Sequence, residues 1–460
     1  MASKKLEALR TLEQGRISAK KVMVFGLGRS GLAALKLLGE FDCDLHVASA
    51  GALSSWSSQV SVERAKCYEQ SEAPFAQMDL IILSPGIPRE HELLVTALEK
   101  NIPIICEIEL ASWFWRAPIL GLTGTNGKTT TVTLLGEIFK DQKLKTFVGG
   151  NIGIPFCEAI TSGEEFDVAI LELSSFQLES APTLHPIVSG ILNITFSHGE
   201  RYASLADYTQ AKLNIAQNFT HADTFIAPLK ADFLDPDFRS RIPVSEIALE
   251  EQALKNALSK WGISSTDLQV PGIHNLYNIC FALEMTRSFF ASESKRKLDI
   301  QALKQTLSRF RGVAHRIEAV PLRDGPLVYN DSKSTNWEST KVAVAAMKDA
   351  KAPVALILGG QKRGRADELS PHLSYLRQHV AKFYLIGQTC EQHALECEAA
   401  GVDYICAQTL EKVCRELKAC QHHGTVLFSP AAPSFDQFKN YGDRGDTFKK
   451  LITQTFEANS

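Results

Sequence analysis

Residues 121–130 read Gly-Leu-Thr-Gly-Thr-Asn-Gly-Lys-Thr-Thr. Glycines let a backbone approach an anion, and a helix N-terminus offers free N–H groups. A lysine supplies a point charge, and a threonine hydroxyl can reach Mg²⁺. The stretch is therefore a candidate phosphate loop, with Gly124, Thr125, Asn126, Gly127, Lys128, Thr129 and Thr130 as nucleotide contacts. The match departs from the usual pattern at one point, since Leu122 stands where the first glycine is expected.

Such a loop works only at a strand-to-helix turn. The apolar run 117–122 predicts the strand, and Val132, Leu135 and Phe139 predict the helix by their spacing. A strand over 168–171 delivers Glu172, followed by Ser174 and Gln177, while a strand over 187–192 leads to Asn193 and His198. Ligands of open parallel sheets lie beyond the carboxyl ends of the strands, so Glu172 and His198 should share an edge with Lys128. A carboxylate and an imidazole beside a polyphosphate are reasonable Mg²⁺ ligands. Lys212 falls in a predicted helix, 207–217, where a surface lysine is the default. A helix opening near Gly272 puts His274 and Asn278 on one face, four residues apart.

Two further regions carry polar loops at predicted strand ends. Near the N-terminus, Gly26-Leu27-Gly28-Arg29-Ser30-Gly31 follows the strand 21–25 as a dinucleotide-type turn does. The acidic residue that would hold an NAD ribose is absent, because the next strand ends in Ala48-Ser49-Ala50. That weakens the alternative of a nicotinamide-dependent oxidoreductase. A buried strand, 79–83, ends at the turn Ser84-Pro85-Gly86-Ile87-Pro88, and Asn151-Ile152-Gly153 forms another loop. Towards the C-terminus, strands predicted at 327–330, 354–358, 383–386 and 426–428 put residues 331–336, 359–364 and 429–444 at one sheet edge.

The chain has 460 residues, enough for about three domains. With 49 Lys plus Arg against 52 Asp plus Glu, net −3, nothing favours nucleic acid or an anionic membrane as partner. The first twenty residues are charged, and no apolar run approaches the ~18 residues of a membrane span. A cytoplasmic protein without membrane insertion is expected. The ten cysteines include no Cys-x-x-Cys pair and are read as reduced thiols; Cys390, His393 and Cys397 fall on one predicted helix without a partner set for metal.

Residues 124–130, Glu172 with Ser174-Ser175-Phe176-Gln177, His198-Gly199-Glu200-Arg201-Tyr202, residues 272–278, His315-Arg316 and Asp331-Ser332-Lys333 together resemble the Mur ligase family. The likeness runs in order along nearly the whole chain. Residues 429–441, reading Ser-Pro-Ala-Ala-Pro-Ser-Phe-Asp-Gln-Phe-Lys-Asn-Tyr, with Arg444-Gly445 and Ser84-Pro85-Gly86-Ile87, resemble the branch that adds D-glutamate. Another ligase of the family, or a folylpolyglutamate synthase, is the alternative that these motifs disfavour.

The resemblance implies an α/β protein of three domains: a Rossmann-like domain over 1–112 for the UDP end of the substrate, a central ATPase over 113–313 with a mainly parallel sheet, and a Rossmann-like domain over 314–460 for the amino acid. It implies that the carboxylate of UDP-N-acetylmuramoyl-L-alanine attacks the γ-phosphate of ATP, and that the amine of D-glutamate displaces phosphate from the acyl phosphate. Lys128, His198, Lys212 and Lys333 would be catalytic. Thr129 and Glu172 would hold one Mg²⁺ and His198 a second, while Lys212 matches the lysine that becomes a carbamate. Asn278 would meet adenine, Asp331 the ribose, and Arg316 and Lys333 the phosphates or reacting groups. Gly28, Ser30, Ser84 and Asn151 would hold the UDP-sugar, with Ser174 and Gln177 counted among the substrate contacts. Thr335 and Arg363, or Lys362 beside it, would take one carboxylate of D-glutamate, and Ser434 with the backbone of Tyr441 the other. Ser49-Ala50-Gly51 departs from the residues that often hold the nucleotide there. A monomer is expected, with closure of the central and C-terminal domains.

Overall fold

The computed structural model describes residues 20–195, 201–270, 272–293, 296–347, 352–363 and 368–457. His198 lies outside them. Contacts divide the chain into two units, Met1–Leu254 with Asn278–Leu303, and Lys255–Tyr277 with Lys304–Ser460.

The first unit holds two sheets. In the N-terminal one, β1 (Lys21–Phe25), β2 (Asp44–Ser49), β3 (Lys66–Glu69), β4 (Leu80–Leu83) and β5 (Ile104–Ile105) are ordered 3-2-1-4-5 and run parallel. Strand β4 is Leu-Ile-Ile-Leu and wholly buried, as a central parallel strand covered on both faces must be. Helix α1 (Arg29–Leu38) follows β1 directly and buries Leu35, Leu37 and Leu38; α2 (Glu107–Ser112) follows β5. Because the order reverses at β1, its C-terminal end and that of β4 open a crevice.

The second sheet has β6 (Ile119–Thr123), β7 (Thr146–Gly150), β8 (Val168–Glu172), β9 (Val188–Ile191), β10 (Thr224–Pro228) and β11 (Val244–Ile247), ordered 11-10-9-6-8-7 and all parallel. With it go α3 (Lys128–Asp141), α4 (Phe156–Thr161) and α5 (Leu205–Leu213); α6 (Ile273–Ser292) comes later in the chain. One apolar cluster extends from Val22 and Leu37 to Phe156, Leu171 and Phe225, so the two sheets share a core.

In the second unit β12 (Glu318–Val320), β13 (Leu327–Asn330), β14 (Val354–Gly359), β15 (Lys382–Ile386), β16 (Tyr404–Gln408) and β17 (Thr425–Phe428) are ordered 12-13-17-14-15-16. Only β12 is antiparallel to its neighbour. The long helix α7 (Tyr441–Glu457) packs Phe448 against Phe428. No helix of the described residues is long and apolar enough to cross a membrane.

Two expectations need correction. The cysteines are not all thiols: Cys390 and Cys406 are joined, their Cα atoms 6.0 Å apart, and the other eight are free. Strand β16 lies parallel beside β15, and the helix that opens at Cys390 follows β15, which carries one sulfur over the other. Lys212 is not a surface lysine; it is 1% exposed.

Candidate active site

Strand β6 ends at Thr123, and the chain turns through Gly124 (φ +149°) and Gly127 (φ +82°) into α3. Gly127 is the N-cap, and a Cβ there would lie 2.5 Å from Oδ1 of Asn278, so loop and α6 meet where only glycine fits. The loop is braced from β9: Asn193 accepts from the Asn126 N–H at 2.9 Å, and its carbonyl accepts from Thr125 N–H at 3.0 Å. Lys128 Nζ donates to the carbonyls of Gly124 (2.7 Å) and Thr125 (2.9 Å), which holds the cation over the loop.

Glu172, 2% exposed at the end of β8, accepts from the Thr129 hydroxyl at 2.8 Å and from the Asn151 amide at 2.9 Å. Neither donor is charged. A buried carboxylate joined to a hydroxyl at the foot of the candidate phosphate loop is a hard-oxygen set of the kind Mg²⁺ takes, so the residues present fit that ion. Beside them Lys212 on α5 donates to the Gly124 carbonyl at 3.1 Å, and its Nζ lies 4.4 Å from the centre of the Tyr208 ring. Burial first, then the Lys128 charge, brings the Lys212 ammonium down to about 7, with Glu172 opposing.

Ser174 and Gln177 stand just past β8, where the sequence put them, and satisfy each other as a capping box. At the first sheet, the Ser84 hydroxyl donates to the Gly26 carbonyl at 2.7 Å, and a Cβ on Gly31 would stand 1.9 Å from that oxygen. Gly28 and Ser30 thus share a tight turn with Ser84. Arg29 donates to the carbonyl of Gly153, which brings this turn to the loop of Asn151.

In the second unit, β13, β17 and β14 are adjacent, so the loops that follow them do converge. Asp331 is buried, accepting from Ser429 hydroxyl (2.7 Å) and Ile317 N–H (3.2 Å); burial nonetheless pushes its carboxyl up to about 7. Lys333 Nζ sits 4.0 Å from the Tyr441 ring centre, and the carbonyl of Tyr441 accepts from Ser332. Arg363 is exposed and donates to the Ala431 carbonyl at 3.3 Å; Thr335 and Arg316 are half-buried, and Ser434 is buried. Arg444 of the Arg444-Gly445 motif makes contacts to which the sequence assigned no role. Arg444, 1% exposed, donates to the hydroxyl (3.0 Å) and carbonyl (2.8 Å) of Ser332 and to the Ala432 carbonyl (2.9 Å).

Residues 20–106 match the N-terminal domain of Mur ligases of the MurD-like type, and residues 122–286 match the Mur ligase middle domain. The UDP-N-acetylmuramoylalanine--D-glutamate ligase of Geotalea uraniireducens is 36% identical to this chain over 94% of it and 97% of the relative. That of Myxococcus xanthus is 34% identical over 95% and 98%. The chain belongs to the Mur ligase family. Among solved structures, the UDP-N-acetylmuramate-alanine ligase of Thermotoga maritima superposes with a TM-score of 0.55 at 15% identity, over 96% of this chain and 100% of that one. The MurF ligase of the same organism, in complex with ADP, also gives 0.55, at 14% identity over 98% and 97%. The expected α/β Mur ligase fold is therefore met.

Within that fold the first unit gathers Lys128, Thr129, Glu172, Asn151, Lys212 and Asn278 around one loop. The second gathers Asp331, Lys333, Ser434, Tyr441 and Arg363. Tyr208 was missed, although its place four residues before Lys212, on the same helix face, is legible as a partner for that side chain.

Proposed function

We propose that this chain is an ATP-dependent ligase that joins D-glutamate to UDP-N-acetylmuramoyl-L-alanine in peptidoglycan precursor synthesis. The observation that carries this reading is end-to-end identity of about a third with ligases of that name. The geometry of the phosphate loop agrees with it. In this reading residues 1–112 bind the nucleotide-sugar, 113–313 bind ATP, and 314–460 receive the amino acid.

Both steps build negative charge on oxygen, first on the transferred phosphoryl group and then on the tetrahedral carbon. Fixed cations and N–H groups lower such barriers because they need no reorganisation. Lys128 and the N-terminal N–H groups of α3 take the β/γ-phosphates; Asn278, at Gly127, faces the nucleotide. Thr129, Glu172 and His198 would hold Mg²⁺, with His198 on a second ion, and when bound that ion neutralises phosphate charge. Lys212 is suited to carbamylation, since a buried amine held down to about 7 is neutral in a large fraction of molecules, and only the neutral amine adds to CO₂. Lys333, Arg316 and Asp331 serve the nucleotide and reacting groups. Thr335 and Arg363, with Ser434 and the Tyr441 backbone, hold the two carboxylates of D-glutamate; Gly28, Ser30, Ser84, Ser174 and Gln177 serve the other substrate. We place the enzyme in the cytoplasm, where both nucleotides are made, as a monomer.

The test is phosphate release from ATP, Mg²⁺ and UDP-N-acetylmuramoyl-L-alanine with a panel of D- and L-amino acids. D-glutamate should support turnover and the others should not. Preference for L-glutamate or a diamino acid would reassign the chain within its family.

A further inference from the structure

Between the first-sheet turn and the phosphate loop lies a row of side chains that nucleotide binding leaves without a task. Arg201 is largely buried. Its guanidinium lies 4.5 Å from the centre of the Phe176 ring, pairs with the Glu179 carboxylate and reaches the carbonyl of Pro85 at 3.5 Å. Pro85 follows Ser84, whose hydroxyl closes the Gly26 turn. Arg89, in the loop beyond β4, donates to the Glu179 carbonyl at 3.3 Å. The other carboxylate oxygen of Glu179 accepts from the Tyr202 hydroxyl. The Tyr202 ring stands 5.2 Å from that of Tyr208, whose hydroxyl is 3.4 Å from that of Thr125 and whose ring lies against Lys212. Contacts thus run unbroken from the turn at Ser84 to the phosphate loop.

A partly buried ion pair is a poor source of stability, because desolvation and residual solvent offset much of the attraction; what it does supply is a fixed register. Here the register is that of two loops which hold two different substrates, the nucleotide-sugar at the turn and ATP at the phosphate loop, whose carboxylate and γ-phosphate must meet. We propose that the Arg201–Glu179 pair is a positioning device that sets the spacing between the Ser84–Pro85 turn and the phosphate loop. A molecule held at the turn by its nucleotide end then presents its carboxylate where the γ-phosphate lies. This rests on the ligase reading above. Neither residue touches the reacting atoms, and misplacement by about 1 Å can cost on the order of 100-fold in rate.

The experiment measures phosphate release by wild type, Arg201→Gln, Arg201→Lys, Glu179→Gln and the Arg201→Gln/Glu179→Gln double variant, varying each substrate in turn. For Arg201→Gln the KM for UDP-N-acetylmuramoyl-L-alanine should rise about 10-fold and kcat should fall, while the KM values for ATP and D-glutamate stay within about 2-fold. Arg201→Lys should recover part of the loss. The double variant should be no worse than the worse single one, since two partners of one pair do not act additively. Arg201→Lys and Glu179→Gln carry the test if Arg201→Gln does not fold. Equal changes in all three KM values, additive losses, or unchanged kinetics overturn the proposal while the ligase reading stands. Failure of the wild type to turn over UDP-N-acetylmuramoyl-L-alanine overturns both.

Discussion

Lys212 occupies a helix position that suits a surface side chain in the sequence, yet it is buried against Tyr208 and the Gly124 carbonyl. Its chemistry follows from that burial. Below about pH 7 the amine is protonated and cannot add to CO₂, so activity in bicarbonate buffer should fall as pH drops through that value. Lys212→Ala should lose nearly all turnover, and a small carboxylate such as acetate should restore part of it by replacing the missing anion. Wild-type activity that holds level from pH 8 to 6, with an unmodified intact mass, would remove the carbamate from the account. Lys128 poses a simpler question. Its ammonium sits on the loop carbonyls of Gly124 and Thr125, where it would face the bound phosphates. Lys128→Ala should therefore lower phosphate release by about 100- to 1000-fold. Undiminished release would place the phosphate site elsewhere.

At the scale of elements, the strand–loop–helix unit from β6 to α3 is held by conformation as much as by contacts. Gly127→Ala adds a Cβ at φ +82° that also meets Asn278, at a cost of roughly 1–3 kcal/mol. The variant should melt a few degrees lower and lose most of the upward shift that ATP with Mg²⁺ gives the wild type. A full ATP shift would show that the loop does not hold the nucleotide. This unit was legible in the sequence because its strand is an apolar run and its glycines and lysine are spaced by phosphate geometry. Strands β13, β14, β15 and β17 were legible for the same reason, each an apolar run ending in polar loop residues. Strands β3 (Lys-Cys-Tyr-Glu), β12 and β16 were not, since these edge strands are only partly buried and so carry little apolar pattern. Arg444 was legible as part of a motif, but its contacts were not, for another reason. A buried arginine that donates to one hydroxyl and two backbone carbonyls is specified by loop shape, which no residue spacing records.

For the whole molecule, a net charge of −3 leaves little general repulsion, so the dependence of stability on pH should come from particular buried groups. Glu107, on α2, is the clearest in the first unit. Burial pushes its carboxyl up to about 7, with Glu158 adding to the rise and hydrogen bonding from the Cys157 N–H opposing it. Asp331 is the counterpart in the second unit, also at about 7. An acid whose folded pKa exceeds its unfolded value binds more protons folded than unfolded. Its contribution to stability is therefore largest below the unfolded value and is lost as pH rises through the folded one. The window for both groups runs from about 4 to 7. Across it the midpoint of urea unfolding should fall as pH increases, opposite to the trend set by paired surface carboxylates. Glu107→Gln keeps the shape and an acceptor for the Cys157 N–H but cannot ionise, so its midpoint should fall less between pH 5 and 7.5 and exceed that of the wild type at the upper end. If the two profiles run parallel, Glu107 does not bear a charge in the folded protein that differs from its charge in the unfolded chain.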